Sequence, residues 1–297
     1  MPTNILHSTD IAVPGQIVDA ILGKVKFGSA LAQLSQNVPQ KYGAGQAWTA
    51  DIGEAELVTP GAQKSPSSLT PNIVALTPHK FQKTIRLDQE VQWADEDYQL
   101  SILAQLQELI GPALARALDY GGIHGIDPLS GAAAASIIAS SKIASTTSAV
   151  TATSNPVTDL DAAEALVVAA GYVPNGIALD PALAASFRGQ RDTNGKRIYP
   201  EFKLSTEKTD LDGFAASVSK TVGAVGVASV ATNLKGIVGD FNQFVWGIQK
   251  DIGVEVITTG DPDGQGDLKR QNQIAIRAEI VYGWGIADLS AFAKITS

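Results

Sequence analysis

The segment from Gly239 to Ile295 constrains the fold more than any other part of the chain. Gly239-Asp240-Phe241-Asn242-Gln243-Phe244-Val245-Trp246-Gly247-Ile248 is rich in aromatic and β-branched residues, and Val254-Glu255-Val256-Ile257 alternates at period two; both are predicted as strand. Asp261 to Asp267, with Pro262, Gly264 and Gly266, has the composition of a turn or loop. The apolar run from Ile274 to Ile286 reads as one long strand, and Phe292-Ala293-Lys294-Ile295 as a closing strand. So much strand with so little charge in its apolar parts demands a well-buried sheet.

The rest of the chain differs in character from segment to segment. Met1 to about Lys26 reads as an extended arm leading into a short amphipathic helix, with too few apolar residues to bury itself. Ser29 to Leu34 is a second short apolar patch. From Gln46 to Val91 two β-like runs flank a tip rich in Gly, Pro and Ser. Ala47–Ile52 and Leu57-Val58-Thr59 lead out, Pro60 to Pro71 is the apex, and Ile73–Leu76 and Lys80–Leu87 lead back, which predicts a long hairpin. An isolated two-stranded ribbon is marginal in water, so this one needs a partner surface. Asp95 to Asp119 is the best predicted helix: Asp95, Glu96 and Asp97 suit its positive end, and Leu103, Leu106, Ile110, Leu114 and Ala117 form a stripe. Pro112 predicts a kink around Glu108 to Gly111, because the stripe continues past it. Gly121 to Gly125 ends that helix, and the Ala/Ser/Thr/Ile-rich stretch to Asn155 reads as short strands and a surface loop. Further on, helices are expected at Asp159–Ala170, capped by Thr158 or Asp159, and at Pro181–Gln190. Strands are expected at Gly176–Leu179 and Val222–Val230, and a tight turn at Arg191–Arg197. This alternation indicates a compact α/β unit.

Composition closes off several function classes. At 297 residues, 44% hydrophobic and 18% charged, the chain can bury one large or two medium cores. A net charge of -8 argues against a surface that grips phosphate backbones. No cysteine is present for disulfides or thiolate metal sites, and His7, His79 and His124 sit in unrelated contexts. No secretory signal, membrane span, nucleophile elbow or phosphate-binding glycine loop is legible, so neither enzyme chemistry nor a cofactor is expected. Asp261, Asp263 and Asp267 superficially suggest a calcium loop, but the distal glutamate is missing and a polar turn is the better reading. Trp48, Trp93, Trp246 and Trp284 are expected as core or interface anchors.

Read in order, GDF…VWGI…VEV…D…IAIRAEI…G…IAD…AFAKI resembles the C-terminal signature of tailed-bacteriophage major capsid proteins of the Hong Kong phage fold. The resemblance extends over nearly the whole chain and implies an α+β capsid fold. Residues 1–28 would be the N-terminal arm, and 46–78 the extended loop lying over a neighbouring subunit. Residues 29–45, 79–125 and 239–297 would form the peripheral domain with its spine helix at 95–119, and 126–238 the axial domain. It further implies pentamers and hexamers tiling an icosahedral head around double-stranded DNA, assembled in the host cytoplasm. Scaffold, portal and decoration proteins would be partners, and a membrane would not. The internal scaffolding segment of some members has no counterpart here, implying a separate scaffold or a segment removed or never present. Lys64, Pro112, Trp48 and Trp284 are the residues expected to matter for assembly. Some members also join a loop lysine to an asparagine of a neighbouring subunit, with a glutamate as base; the matching positions are Lys64, Asn272 and Glu279. Asn272 and Glu279 would face opposite sides of one regular strand, so they would serve different subunits. Two other readings compete: an encapsulin-type nanocompartment shell, which shares the fold but usually begins with a helix in place of the arm, and, more remotely, a soluble α/β enzyme, which would need a convergent pocket of perturbed titratable groups.

Overall fold

The computed structural model describes residues 28–43, 45–51, 55–64, 66, 70–89 and 110–297. Two sheets organise them. The five-stranded sheet has the order β1-β9-β10-β3-β2, with β1 at Gln36–Asn37, β2 at Gly45–Asp51, β3 at Thr70–Asp88, β9 at Phe244–Ile257 and β10 at Gln273–Ile286. The six-stranded sheet has the order β4-β11-β8-β5-β7-β6, with β4 at Ala149–Thr151, β5 at Gly176–Leu179, β6 at Thr209–Leu211, β7 at Phe214–Val218, β8 at Leu234–Gly239 and β11 at Phe292–Thr296.

One core joins the sheets. Ile110, Leu114 and Leu118 of the helix at 110–119 pack against Trp246, Tyr282 and Trp284 of the first sheet and against Ile237 and Phe292 of the second. Leu31, from the short helix α1 (Ala30–Leu34), enters the same core. A second core fills the other face of the six-stranded sheet, where Leu160, Ala163 and Val167 of helix α3 (Pro156–Ala169) meet Ile177, Leu179 and Val238. Alternation along β5 produces this division: Ile177 and Leu179 face the second core, while Ala178 between them faces the first.

Several sequence expectations need correction. The run from Gly239 is not one strand: Asp240 accepts a hydrogen bond from Asn242 N and caps a 3-10 turn at Phe241–Gln243 between β8 and β9. The C-terminal segment is not undivided either. β9 and β10 lie in the five-stranded sheet, but β11 inserts between β4 and β8 in the other. α3 begins at Pro156, three residues before the expected start; the Asn155 side chain caps it and Pro156 fills the first turn, where its missing N–H costs nothing. Asp159 instead turns inward and accepts from the Thr153 N–H and hydroxyl at 2.9 and 2.7 Å. Val222–Val230 is no strand. The chain there makes a helical turn (Lys220–Gly223, α5) capped by Ser219 and then reverses through Ala224 at φ 50°. The outgoing hairpin strand ends at Asp51, and residues 55–59 are not paired as strand. Most of the predicted spine helix, with the kink proposed around Glu108, lies outside the described residues, as does the arm up to residue 27. Beyond residue 119 the helix is not simply broken by its glycines. It widens into a π turn at Tyr120–His124, closed by Gly125 at φ 67°.

Candidate assembly site

β3 is the element on which the candidate site is built. Its first part, Thr70–Leu76, pairs antiparallel with β2, and its second part, Thr77–Asp88, pairs with β10. One unbroken strand thus belongs to both the hairpin and the body. Pro78 is tolerated because it falls just past the last β2 pair, Gly45↔Leu76, where β3 has a partner on one side only.

The base of the hairpin rests in a notch made by glycines. Gly247 and Gly283 are direct partners across β9 and β10. A Cβ at Gly247 would sit 2.1 Å from the Val38 carbonyl oxygen, and one at Gly285 would sit 2.6 Å from Val74 Cγ1. The chain entering the hairpin crosses this gap and is pinned by amide side chains. Gln249 Nε2 donates to Gln40 Oε1 at 3.0 Å and to the Leu76 carbonyl at 3.3 Å, Gln40 Nε2 donates to the Gly283 carbonyl at 3.2 Å, and Gly43 N donates to Gln249 Oε1 at 3.2 Å.

The opposite end of the sheet is tied by Arg86. Its guanidinium donates to both carboxylate oxygens of Asp263, to Asp261 Oδ1 at 2.9 Å, to the Gly266 carbonyl at 2.8 Å and to the amide oxygens of Gln271 and Gln273. Asp261 and Asp263 thus serve an arginine, in accord with the polar-turn reading. The Arg86 bond, with its charge, holds the Asp263 carboxyl below the usual carboxylate range despite partial burial. Sequence reasoning missed this node, because an arginine within an alternating strand reads as a solvent-facing residue.

The residues singled out from sequence are not gathered in one place within the chain. Lys64 is exposed at the hairpin tip. Asn272 is exposed in the turn before β10 and takes φ 55°, a left-handed conformation asparagine tolerates. Glu279 is half-buried on β10 and pairs with Lys80 at 2.6 Å. Pro112 lies in the helix at 110–119. Trp284 is not an interface residue: it is fully buried, stacks on His79 with ring centroids 4.3 Å apart and donates from Nε1 to the Ser141 carbonyl at 2.9 Å. Trp48 is paired with Ile73 in the hairpin ladder. Among the described residues no cluster of His, Asp or Glu is arranged to hold a metal ion, and no helix is long and apolar enough to cross a membrane.

Strands shared between body and projection, edges held by side chains and polar loops pinned at the rim describe a subunit built to meet other subunits. The model of the phage capsid family matches residues 9–297, and the chain belongs to that family. A solved structure from Mycobacterium phage Ogopogo is similar at 41% identity and TM-score 0.78, with 91% of this chain and 92% of that one covered. One from Gordonia phage Cozz is similar at 26% identity and TM-score 0.75, covering 91% and 86%. A structure titled as the capsid of a native GTA particle computed with C5 symmetry shares the fold at 16% identity and TM-score 0.56, covering 90% and 89%. Comparison with curated proteins finds no match. The protein is a capsid shell protein, a structural component of the virion that assembles with copies of itself.

Proposed function

We propose that this chain is the major subunit of a tailed-phage head, assembling as pentamers and hexamers into an icosahedral shell around double-stranded DNA. The observation that carries the finer reading is the projecting hairpin. Its tip, Gly61 to Lys64, is exposed and Leu57 on its outgoing side is 97% exposed, so it has little of its own to pack against. A neighbouring subunit supplies the missing surface. On this reading residues 46–78 are the extended loop, 1–28 the arm, 95–119 the spine helix, 126–238 the axial domain, and 29–45, 79–125 and 239–297 the peripheral domain. A scaffold, a portal and decoration proteins are its further partners, and assembly takes place in the host cytoplasm. The charge of -8 suits a container that encloses DNA without gripping it. Replacing residues 52–69 by a two-residue turn is expected to leave a folded subunit that no longer assembles; normal shells in electron micrographs of that variant would overturn the reading.

The crosslink belongs to the same proposal. The Lys64 amine attacks the Asn272 side-chain carbonyl of another copy, a C–N bond forms, ammonia leaves, and Glu279 takes up the proton the amine sheds. The exposure of Lys64 and Asn272 leaves both open to a neighbour, while Glu279 would have to exchange its Lys80 partner during the step. Boiling particles in detergent tests it. A ladder abolished by Lys64→Ala is expected, and a single band at the 30.9 kDa monomer mass rules the step out.

A further inference from the structure

Helix α3 is apolar on both sides. Leu160, Ala163 and Val167 face the core beneath it. The outer side carries Ala165, Leu166 and Val168, followed in the next turn by Val173, the last three 36%, 55% and 80% exposed. From Ala162 to Pro174 the only charged residue is Glu164. A surface helix with one buried face ordinarily shows polar residues on the other; apolar residues on both faces indicate a second partner.

A second uncharged patch lies elsewhere. Gly131, at φ 68°, accepts from Ser229 N and Oγ at 2.9 and 2.8 Å, and a Cβ at this glycine would sit 1.9 Å from the Val227 carbonyl oxygen. The loops 127–133 and 224–231 are thereby locked side by side. Together they present Leu129, Val225 and Val230, which are 87%, 73% and 78% exposed. Neither Pro128–Ala133 nor Ala224–Thr232 contains a charge, and the Asp127 carboxylate is turned onto its own loop, accepting from Leu129 N, Ser130 N and Ser130 Oγ.

The two patches belong to opposite faces of the six-stranded sheet. α3 packs on the Ile177, Leu179 and Val238 face. The second patch follows directly from α5, whose Val222 packs with Ala178 and Ile237 on the other face.

We propose that these patches are the two halves of one head-to-tail contact between copies of this chain, the outer face of α3 on one copy seating against the 127–133/224–231 seam of the next. A second copy is the occupant that fits. Each copy carries a net charge of -8, so patches free of charge are where two copies meet without repulsion. Unlike patches on opposite faces join heterologously, and a heterologous contact closes into a ring when its rotation permits. The inference rests on the shell reading above.

Charge-swap assembly tests it. Leu166→Glu with Val168→Glu marks the helix, Val225→Lys with Val230→Lys marks the seam, and a third variant carries all four. All four positions are solvent-facing, so each variant is expected to keep its fold, checked by circular dichroism and thermal unfolding. Either pair alone is expected to reduce the particle fraction on sedimentation by about tenfold or more, as for the loss of an interface hot spot. The fourfold variant, whose unlike charges meet across a head-to-tail contact, is expected to regain particles. Shells of wild-type yield from either pair alone, or a folded fourfold variant that stays unassembled, overturn the contact while leaving the shell reading intact. Wild-type protein that forms no particles sinks the shell reading, and the contact with it.

Discussion

Asp119 shows how far one side chain reaches in this fold. It is fully buried, and its carboxylate accepts from Ser29 Oγ, Thr221 Oγ1 and the N–H groups of Ala30 and Leu31, the latter two at 2.8 and 3.1 Å. The residue thus ties together the start of α1, the end of the helix at 110–119, and α5 beside the six-stranded sheet. Burial is the largest influence on the carboxyl and raises its pKa, while the four bonds oppose it. Asp119→Ala would leave those donors buried without an acceptor, at about 1–3 kcal/mol each for any that water does not reach. A loss of at least about 3 kcal/mol in denaturant unfolding is expected, with Asp119→Asn milder. An unchanged midpoint would refute the role. Histidines give the pH dependence. Burial lowers His79 and His124 below their ordinary 6.5. The unfolded chain therefore takes up protons from about pH 6.5 downward while the folded chain resists, so stability is full above that value and falls as the pH drops below it. The apparent melting temperature should decline between pH 6.5 and 5, and His79→Gln should flatten that decline; an identical slope in the variant would exclude His79 as a source. None of this was legible in sequence. His79 and His124 sit in unrelated stretches, and Asp119 is simply the last residue of an amphipathic pattern until the fold brings residues 29 and 221 to it.

At the scale of elements, the long strands and α5's neighbours fared differently. β10 and β11 were readable because their apolar runs are long and bounded by turn formers. Val222–Val230 misled because small apolar residues fit a strand or a tight reversal equally well, and the Ser219 cap and left-handed Ala224 decided for the reversal. The hairpin could be anticipated as two runs about a tip; the continuity of β3 through Pro78 could not, since proline reads as a break unless the pairing of each edge is known. The notch beneath the hairpin supplies a sharp test. Gly247→Ala places a methyl against the Val38 carbonyl, a backbone atom with little freedom to withdraw. A destabilisation of about 1–3 kcal/mol is expected from such overpacking, together with particles that assemble poorly because the hairpin base is displaced. Normal assembly with unchanged thermal stability would show the notch to be slack. Pro112→Ala is expected to alter the distribution of particle sizes, since shells must change curvature between rings of five and six; an unaltered distribution would leave Pro112 without that role.

For the whole molecule, the class of fold and the shell function were readable because the C-terminal signature occupies contiguous sequence, whereas the assembly surfaces were not. Lys64, Asn272 and Glu279 could be named by position, yet whether they meet depends on copies placed around one another. Trp284 looked like an anchor for a neighbour and is a core residue instead, since composition cannot distinguish which subunit supplies the cover. The six-stranded sheet has one further consequence. Its second strand in spatial order, β11, pairs with β4 on one side and β8 on the other, so residues 292–296 are needed in the middle of a sheet whose other members lie between residues 149 and 239. A ribosome makes those other strands first, and they must wait with open edges until the last arrives. A chain cut short before Phe292 therefore lacks a finished sheet to offer a growing particle. The placement of one late strand acts as a proofreading step, admitting to the lattice only subunits whose synthesis has run past it.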